Sequence, residues 1–287
     1  MASQTALKTL RCPRQTQRLC ARLPSPLVLV PTMGALHAGH VSLLTHARTL
    51  AGKSGTVIAT VFVNPSQFGP REDFSRYPRP FKRDQMLCRT AGVDLLFAPA
   101  TDSLYPPEFS TWVEEISVAE GLCGAARPGH FRGVCTIVLK LFNLCRPDTA
   151  VFGIKDFQQC AVIARMVRDL NVPVRLVFAP TVREEDGLAL SSRNTYLSEA
   201  ERAQAPVLYA ALREARDAVQ RGEIRAATIN RLLQRRIAAA PLARIDYIAI
   251  VNSETLQPVR EIAPKTTAAL AVFFGKTRLI DNIPLTP

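Results

Sequence analysis

Short apolar runs alternate with helical patterns along the first 180 residues of the chain. Runs at 27–30 and 56–63 flank a segment at 40–51 whose apolar residues recur at helical spacing. A parallel strand that is buried on both faces is a continuous apolar run, not an alternating one. The order strand, helix, strand therefore predicts a βαβ unit with parallel strands and a right-handed crossover.

The same alternation continues to about residue 180. We predict further helices at 81–91, 134–145 and 156–170, further strands at 93–98, 150–153 and 174–179, and a short edge strand at 111–116. Strands that alternate with helices in this way form one parallel sheet with helices on both faces. Residues 1–180 are therefore predicted to form a Rossmann-like, doubly wound α/β domain.

The last third of the chain has a different pattern. Helical patterns at 199–221 and 225–239 precede alternating runs at 244–251, 267–274 and 277–283. Alternation is typical of antiparallel strands with one buried face, and Gly275-Lys276 predicts a tight turn between the last two strands. We predict that residues 181–287 form a smaller α+β domain, with helices and a short antiparallel sheet, that acts as a lid.

The chain has a net charge of +12 at pH 7 and a sequence pI near 9.8. A strongly basic balance raises nucleic acid as a partner. The basic residues are spread along the chain, however, and no basic block contains the interleaved aromatic residues of an RNA-binding sheet. A polyanionic small substrate and a solvated basic surface explain the charge more simply, so we predict no nucleic-acid partner.

Cysteine usage and hydropathy indicate the compartment. The chain has seven cysteines, an odd number, and no Cys-x-x-Cys pair. This pattern argues against a disulfide framework and a zinc site, and it predicts reduced thiols in a cytoplasmic protein. No apolar run reaches the roughly 18 residues that a membrane helix requires, so no membrane partner is predicted.

The first 26 residues are basic and contain no acidic residue. Transit peptides share this composition, and so do basic amphipathic helices. We favour a basic first helix that leads into the strand at 27–30, because little chain would precede that strand if the segment were cleaved.

Two histidines follow the strand at 27–30. His37 and His40 lie in a glycine-containing turn that opens a predicted helix from about residue 40. The first turn of a helix carries unsatisfied N–H groups and a partial positive charge, and Gly34 and Gly39 allow a close backbone approach. A His-x-x-His pair alone is more often an ordinary turn, but the strand–turn–helix context predicts an anion site, most commonly for phosphate.

Other polar clusters occur where ligands of open α/β sheets bind, beyond the carboxyl ends of the strands. They are Asn64/Gln67, Lys155/Asp156 and Ser191/Ser192/Arg193. Amides, hydroxyls and cations suit phosphate oxygens, because phosphoryl and nucleotidyl transfer depend on positioning and charge neutralisation. The sequence lacks a P-loop, a dinucleotide fingerprint, a serine-hydrolase elbow and a His-Glu-x-x-His motif.

Taken together, these segments resemble the pantothenate synthetase (pantoate–β-alanine ligase) family, an adenylyl-transferring family with a His-x-Gly-His signature. The resemblance runs from about residue 28 to the C terminus. Its motifs, in the family's order, are PTMGALHAGH at 31–40, FVNPSQFG at 62–69, RYPR at 76–79, GHFRGV at 129–134, FGIKDFQQ at 152–159 and PTVREEDGLALSSRN at 180–194.

This resemblance implies a two-step reaction. ATP and (R)-pantoate form an enzyme-bound pantoyl adenylate and release pyrophosphate. β-Alanine then attacks the acyl carbon, which gives pantothenate and AMP. The family resemblance also implies Mg²⁺ with ATP as substrate and a homodimer.

The resemblance also implies the roles of individual residues. The residues implied in catalysis are His37, His40, Lys155, Ser191, Ser192 and Arg193. Those implied in ATP binding are Pro31, Thr32, Met33, Gly34, His37, Gly39, His40, Gly153, Ile154, Lys155, Asp156, Val182, Leu190, Ser191, Ser192 and Arg193. Those implied in pantoate binding are Met33, Phe62, Asn64, Gln67, Arg127, His130 and Gln159.

Some positions depart from the family pattern. Ile154 stands where the family usually has Glu, Phe157 where it has Tyr, and Leu190 where Met is common. The acidic cluster that follows the RYPR motif is reduced to a lone Asp84, which is the predicted metal ligand. The main phosphate- and pantoate-binding positions are intact, so an active enzyme is predicted.

Three alternatives remain at this point. Another nucleotidyltransferase of the same superfamily would act on a phosphate-bearing acceptor. A basic RNA-binding protein with a synthetase-like fold would show salt-sensitive RNA binding and form no ATP-dependent product. An inactive scaffold is suggested only by Ile154 and the reduced acidic cluster.

Overall fold

Six parallel strands form the sheet that organises the first part of the chain. The computed structural model describes residues 7–70 and 72–286. From one edge to the other, the strands are β1 (Lys8–Leu10), β4 (Leu95–Phe97), β3 (Thr56–Val61), β2 (Leu27–Thr32), β5 (Thr149–Gly153) and β6 (Arg175–Ala179). All neighbouring strands run parallel, which confirms the predicted sheet.

Helices cover both faces of this sheet. Because successive residues of a strand point to opposite faces, each buried strand contributes side chains to the core on either side. The helices are α1 (Pro13–Cys20), α2 (Ala38–Ala51), α3 (Phe81–Thr90), α4 (Thr101–Leu104), α5 (Leu122–Ala126), α6 (His130–Cys145) and α7 (Phe157–Asp169). Leu27 and Leu29 of β2 belong to the core formed with α1, α6 and α7. Val28 and Val30 belong to the core formed with α2 and α3.

Strand β2 lies at the centre of the sheet, between β3 and β5. The chain runs from β2 to β3 and β4 on one side, and from β5 to β6 on the other. Such a reversal of strand order leaves a crevice at the carboxyl ends of the two central strands, where ligands of this fold bind. The turn with His37 and His40 follows β2 directly and therefore lies at this crevice.

The last part of the chain forms a separate antiparallel sheet with its own core. Its helices are α8 (Glu199–Gln204), α9 (Val207–Gln220) and α10 (Ala226–Ala238), and its strands, in sheet order, are β7 (Ala243–Asn252), β8 (Thr266–Phe274) and β9 (Thr277–Leu285). Leu212 of α9 and Ile229 of α10 are fully buried in one core with Leu270 of β8. The predicted antiparallel sheet is confirmed, with Gly275 and Lys276 between β8 and β9.

The N-terminal prediction is only partly correct. A helix, α1, does precede β2, but β1 lies before it and pairs in parallel with β4 at the sheet edge. A strand of three residues is too short to show a periodicity, and its pairing depends on a strand 87 positions away. The part of the prediction that concerns residues 1–6 lies outside the described residues.

Two other predicted elements differ from the structure. Residues 111–116 form no strand, and the Val113 N–H donates to Thr136 Oγ1 on α6 at 3.0 Å. The helix predicted at 199–221 is divided into α8 and α9, with Pro206 directly before α9. Proline lacks the N–H that a continuous helix would need, which explains the break. Among the described residues, no helix is long and apolar enough to span a membrane.

Candidate active site

A cavity of about 240 Å³ opens at the carboxyl ends of β2, β3 and β5. Its wall combines the β2–α2 turn, the end of β3, one face of α6, the β5–α7 loop and the segment 180–193. The predicted site residues in this wall are Pro31, Thr32, Met33, His37, Gly39, His40, Phe62, Gln67, Arg127, His130, Gly153, Lys155, Asp156, Gln159, Val182, Leu190, Ser191, Ser192 and Arg193. Segments far apart in sequence therefore meet at one cavity.

The two histidines of the β2–α2 turn hold each other in place through the backbone. The Gly39 N–H donates to His37 Nδ1 at 3.1 Å, and the His37 N–H donates to His40 Nδ1 at 3.4 Å. A Cβ at position 39 would lie 2.8 Å from the His37 ring, so this turn requires glycine. The helix α2 consequently begins at Ala38, two residues earlier than predicted.

These contacts decide which nitrogen of each imidazole ring carries the proton. Burial, followed by the charge of Lys155, lowers the pKa of His37, and burial lowers the pKa of His40 to about 3. Both imidazoles are therefore neutral at pH 7. A neutral imidazole has one donor and one acceptor nitrogen, and Nδ1 is the acceptor in both rings. Each histidine thus carries its proton on Nε2 and can donate a hydrogen bond from that atom.

The predicted metal ligand Asp84 has a different role in this structure. Its side chain is fully buried on α3, and its carboxylate accepts from the Ala35 N–H at 3.0 Å and from the Leu36 N–H at 2.8 Å. Burial raises the pKa of Asp84. Both oxygens face the backbone just before His37, and Asp84 is not part of the cavity wall. Asp84 therefore supports the histidine turn through both of its carboxylate oxygens.

Asn64 also positions a site residue instead of lining the cavity. It is 1% exposed, and its Nδ2 donates to Gln67 Oε1 at 3.0 Å and to the Gly133 carbonyl at 3.1 Å. Because Oε1 is occupied, Gln67 presents Nε2, which lies 3.1 Å from Met33 Sδ. A Cβ on Gly133 would collide with the Ser66 carbonyl, so glycine lets α6 approach this segment.

Arg127 and His130 form a network beside Gln67. Arg127 donates from Nε and Nη2 to the two carboxylate oxygens of Glu72, at 2.7 and 2.6 Å. Its Nη1 lies 2.9 Å from His130 Nε2, and His130 Nδ1 lies 2.7 Å from the Gln67 carbonyl. Arginine only donates, so His130 accepts at Nε2 and donates from Nδ1. Arg127, predicted to bind pantoate, is thus already paired with a carboxylate.

The same network makes stability depend on pH. Burial and the charge of Arg127 lower the pKa of His130 to about 4, from 6.5. Between these values the unfolded chain binds a proton that the folded protein does not bind, so stability falls as the pH falls. From pH 7 to pH 5 we expect His130 to account for a loss of about 2 kcal/mol in the free energy of unfolding.

Urea unfolding at the two pH values tests this expectation. His130→Gln should show a smaller loss between pH 7 and pH 5 than the wild type. His46→Gln, at an exposed position of α2, is the matched control and should show the wild-type loss. Equal pH dependence in His130→Gln and the wild type would contradict the assignment.

Cationic and hydroxyl side chains from two other segments share the cavity wall with the histidines. Lys155 lies in the β5–α7 loop, and Ser191 accepts from the Arg193 N–H at 3.2 Å at the start of a short 3₁₀ helix. Arg193 Nη2 lies 3.3 Å from Asp73 Oδ1. Lys155, Ser191 and Arg193 share the cavity wall with His37, so the arrangement can bind several oxygens of a polyphosphate.

Two departures from the family pattern have structural explanations. The Ile154 side chain packs against the core under α6 and α7, and its backbone carbonyl accepts a hydrogen bond from Asn282. Phe157 is 9% exposed and belongs to the same core. Ile154 is not part of the cavity wall. Ile154 and Phe157 therefore serve packing and backbone geometry outside this cavity wall, whereas the third departure, Leu190, lies within it.

Sequence reasoning missed part of the wall. The missed residues are Thr60, Leu43, Phe68, Tyr77, Val134, Ile137, Val138, Leu141, Phe152, Pro180 and Thr181. Most are apolar residues of predicted elements, and hydropathy alone does not separate them from core residues. Membership of a quoted motif was a usable signal for Phe68, Tyr77, Val134, Phe152, Pro180 and Thr181. Tyr77 is 6% exposed, and burial raises its pKa.

A second, larger cavity of about 810 Å³ adjoins the first. Both contain Arg127, His130, Lys155, Ser191 and Arg193 in their walls. The far wall of the larger cavity consists of residues 276–282 of the second sheet and the turn before it. The site therefore lies between the two sheets, where it is enclosed from both sides.

No group of three or more His, Cys, Asp or Glu side chains is arranged to hold a metal ion within residues 7–70 and 72–286. The groups in the cavity wall beside the histidines are mainly cations and hydroxyls, with the carboxylate of Asp156 among them. Cations and hydroxyls suit anionic oxygens. A divalent ion fits here as part of a bound nucleotide, since Mg²⁺ commonly keeps waters and takes phosphate oxygens.

Comparison with known proteins gives a consistent result. The family model described as pantoate-beta-alanine ligase matches residues 5–284. The pantothenate synthetase of Moorella thermoacetica is 53% identical over 257 residues, which cover 90% of each chain. That of Nitratidesulfovibrio vulgaris is 50% identical over 283 residues, 97% of this chain and 99% of the relative.

Solved structures agree with the sequence relatives. The crystal structure of pantothenate synthetase from Thermus thermophilus aligns with a TM-score of 0.91 at 47% identity, over 98% of this chain and 100% of that chain. Pantoate-beta-alanine ligase from Francisella tularensis, crystallised with β-γ ATP and β-alanine, aligns with a TM-score of 0.77 at 30% identity, over 97% and 98% of the two chains. With its parallel sheet, its histidine turn and these matches along almost its whole length, the chain belongs to the pantoate–β-alanine ligase family.

Proposed function

We propose that this protein condenses (R)-pantoate with β-alanine to pantothenate at the expense of ATP, through a pantoyl adenylate, with release of AMP and pyrophosphate. One observation carries the proposal. A single cavity joins the two Nε2–H donors of His37 and His40 to Lys155 on one side and to Gln67 on the other. The family relationship and the Francisella tularensis complex with β-γ ATP and β-alanine support it.

In the first step, the pantoate carboxylate attacks the α-phosphorus of ATP. Two anions approach each other, and negative charge builds up on the phosphorus oxygens. His37 and His40 donate hydrogen bonds to the α-phosphate, and Lys155 offsets its charge. Ser191, Ser192 and Arg193 hold the β- and γ-phosphates, so Arg193 exchanges its contact with Asp73 for phosphate oxygens.

ATP enters this reaction as its Mg²⁺ complex. The metal is bound mainly by phosphate oxygens and water, as is common for nucleotide substrates. Asp84 is not assigned as its ligand, because Asp84 accepts from two backbone N–H groups. The adenosine lies along Gly153, Asp156 and Val182, which share the cavity wall.

Pantoate lies on the opposite side, in the apolar end of the cavity. Gln67 offers its Nε2 group and Gln159 a second amide, while Met33 and Phe62 contact the methyl groups. Neutral His130 keeps its proton on Nδ1 and orients Arg127 and the Gln67 backbone. In the second step, the neutral amine of β-alanine attacks the acyl carbon, AMP leaves, and the new amide nitrogen loses a proton.

Residues 181–287 are proposed to act as a lid. An acyl adenylate hydrolyses in water, so the cavity must exclude solvent while the intermediate is present. The larger cavity of about 810 Å³ lies between the two sheets, and the second sheet forms its far wall.

The direct test is an assay with the purified protein, MgATP, (R)-pantoate and β-alanine. We expect AMP and pantothenate in equal amounts, and no AMP when pantoate is omitted. Pantoate alone should support exchange of labelled pyrophosphate into ATP, because that exchange reports adenylate formation. Absence of AMP with all substrates present would overturn the proposal.

Substituted acceptors separate this function from its rivals. Turnover with phosphopantetheine or nicotinamide mononucleotide, but not with pantoate, would favour another nucleotidyltransferase. Salt-sensitive RNA binding without any ATP-dependent product would favour an RNA-binding role. The homodimer and the cytoplasmic location stay predictions from the family resemblance and from the cysteine pattern. Sedimentation velocity and cell fractionation test them.

A further inference from the structure

The last strand of the second sheet contacts the ATP-binding loop of the first sheet directly. Asn282 of β9 is 7% exposed, and its Nδ2 donates to the Ile154 carbonyl at 2.9 Å and to the Lys155 carbonyl at 3.1 Å. An amide nitrogen has two N–H donors, and each has a backbone acceptor here. Asn282 therefore holds two successive carbonyls of the β5–α7 loop.

This loop has few other fixed points. Strand β5 ends at Gly153 and helix α7 begins at Phe157, so the intervening residues lie in neither element. The Ile154 N–H donates to the Ala179 carbonyl at 2.9 Å, which fixes one side of the loop. The Asn282 amide fixes the other side, at the residue whose side chain faces the phosphates.

The preceding residue on β9 contacts the second phosphate-facing segment. Asp281 is 3% exposed and accepts from Arg183 Nη1 at 2.6 Å and from Nη2 at 2.9 Å. Arg183 also donates to the Gly187 carbonyl at 3.1 Å, and its guanidinium lies 3.6 Å from the centre of the Tyr209 ring. The buried carboxylate of Asp281 thus holds Arg183 through a bidentate ion pair.

Arg183 lies at the base of a small hairpin. It forms a β-bridge with Ala189, and the Leu190 N–H donates to the Val182 carbonyl at 3.0 Å. The chain passes from this hairpin directly into Ser191-Ser192-Arg193. The position of the hairpin base therefore sets the position of the serine–arginine segment.

We infer that Asp281 and Asn282 form a positioning pair that ties the second sheet to both phosphate-facing segments, with Asn282 acting through Lys155. The inference rests on the proposed function, because it concerns the same ATP site. Asn282 lines the larger cavity but not the smaller one that contains the histidines. It sets the place of the Lys155 backbone, and through it the reach of the ammonium group.

A double-mutant cycle tests this role. We expect Asn282→Ala to lower pantoate-dependent pyrophosphate exchange by about 10²-fold, because a shift of about 1 Å in a reacting group has an effect of that size. In a Lys155→Ala background, Asn282→Ala should have almost no further effect, since the group that it positions is gone. The Michaelis constant for ATP should rise more than that for pantoate.

Asn230→Ala is the matched control. Asn230 is a half-buried asparagine of α10, and its Nδ2 donates to the Ile248 carbonyl at 3.2 Å within the second sheet domain. The Asn230→Ala variant loses the same kind of hydrogen bond at a place that does not contact the site. Its pyrophosphate exchange rate should therefore match that of the wild type. Thermal unfolding of each variant separates lost positioning from lost folding.

The outcomes are distinct. An equal loss from Asn282→Ala with and without Lys155 would overturn the inference, as would wild-type kinetics in a folded Asn282→Ala protein. If Asn282→Ala does not fold, Asn282→Ser, which keeps one donor, takes its place in the same cycle and under the same criteria. Calorimetry can measure the affinity for ATP of the wild type, the two single variants and the double variant. These four affinities give the coupling between Asn282 and Lys155 without pantoate. This measurement therefore remains decisive even if the proposed reaction fails.

Discussion

Lys155→Ala is expected to lower the rate of adenylate formation by about 10²- to 10³-fold, the usual effect of removing one group that stabilises charge in a transition state. Lys155 lies between β5 and α7, in the cavity wall that also contains His37. In the proposed reaction, its ammonium offsets the charge repulsion as pantoate approaches the α-phosphorus. Pantoate-dependent pyrophosphate exchange measures this step directly.

The fold should be unaffected by this change, because Lys155 is not part of a hydrophobic core. Lys265→Ala is the control, since Lys265 is exposed and paired with Glu254 at 2.7 Å. It should keep the wild-type exchange rate. Unchanged exchange in Lys155→Ala would remove this lysine from the mechanism.

Asp84→Asn is expected to weaken both the fold and the site. Asparagine has nearly the same volume as aspartate, but an NH₂ group replaces one carboxylate oxygen. That NH₂ group then faces the N–H group of Ala35 or Leu36, which donates to the carboxylate in the wild type. A buried donor without its acceptor costs about 1–3 kcal/mol in the free energy of unfolding. The loss falls on the turn that carries His37, so the Michaelis constant for ATP should rise.

The same variant separates a supporting role from a metal-binding role. At saturating ATP, the Mg²⁺ concentration that gives half-maximal rate should match the wild type. Asp148→Asn is the control, because Asp148 Oδ2 accepts from the Leu27 N–H at 2.6 Å at the opposite end of β2. A selective rise in the Mg²⁺ requirement of Asp84→Asn would instead make Asp84 a metal ligand.

The pattern of the chain predicted the central elements well. The continuous apolar run at 27–30 and the glycine turn after it are local features, and the structure contains β2 and α2 at that place. The motifs at the carboxyl ends of β2, β3 and β5 meet at one cavity because parallel strands all end at the same edge. Backbone direction and burial pattern are enough to predict such a convergence.

Two elements whose local pattern is weak or misleading were predicted wrongly. Strand β1 has only three residues, and its partner β4 is far away in the sequence. Residues 111–116 resemble a strand in composition, but the Val113 N–H donates to a side chain of α6 instead of to a neighbouring strand. Such choices depend on which surface the segment meets after the sheet has formed.

The amino-acid sequence by itself determined the family, the parallel sheet and the histidines, lysine, glutamines and serine–arginine segment of the site. The tertiary structure alone decided how these groups are held. Asp84 reaches the histidine turn over a separation of 48 and 49 residues, and Asn282 reaches the Ile154 and Lys155 carbonyls over 128 and 127 residues. Hydropathy patterns report only which face of an element is buried. Hydrogen bonds between distant segments depend on how the finished sheets dock, so their partners become visible only in the folded protein.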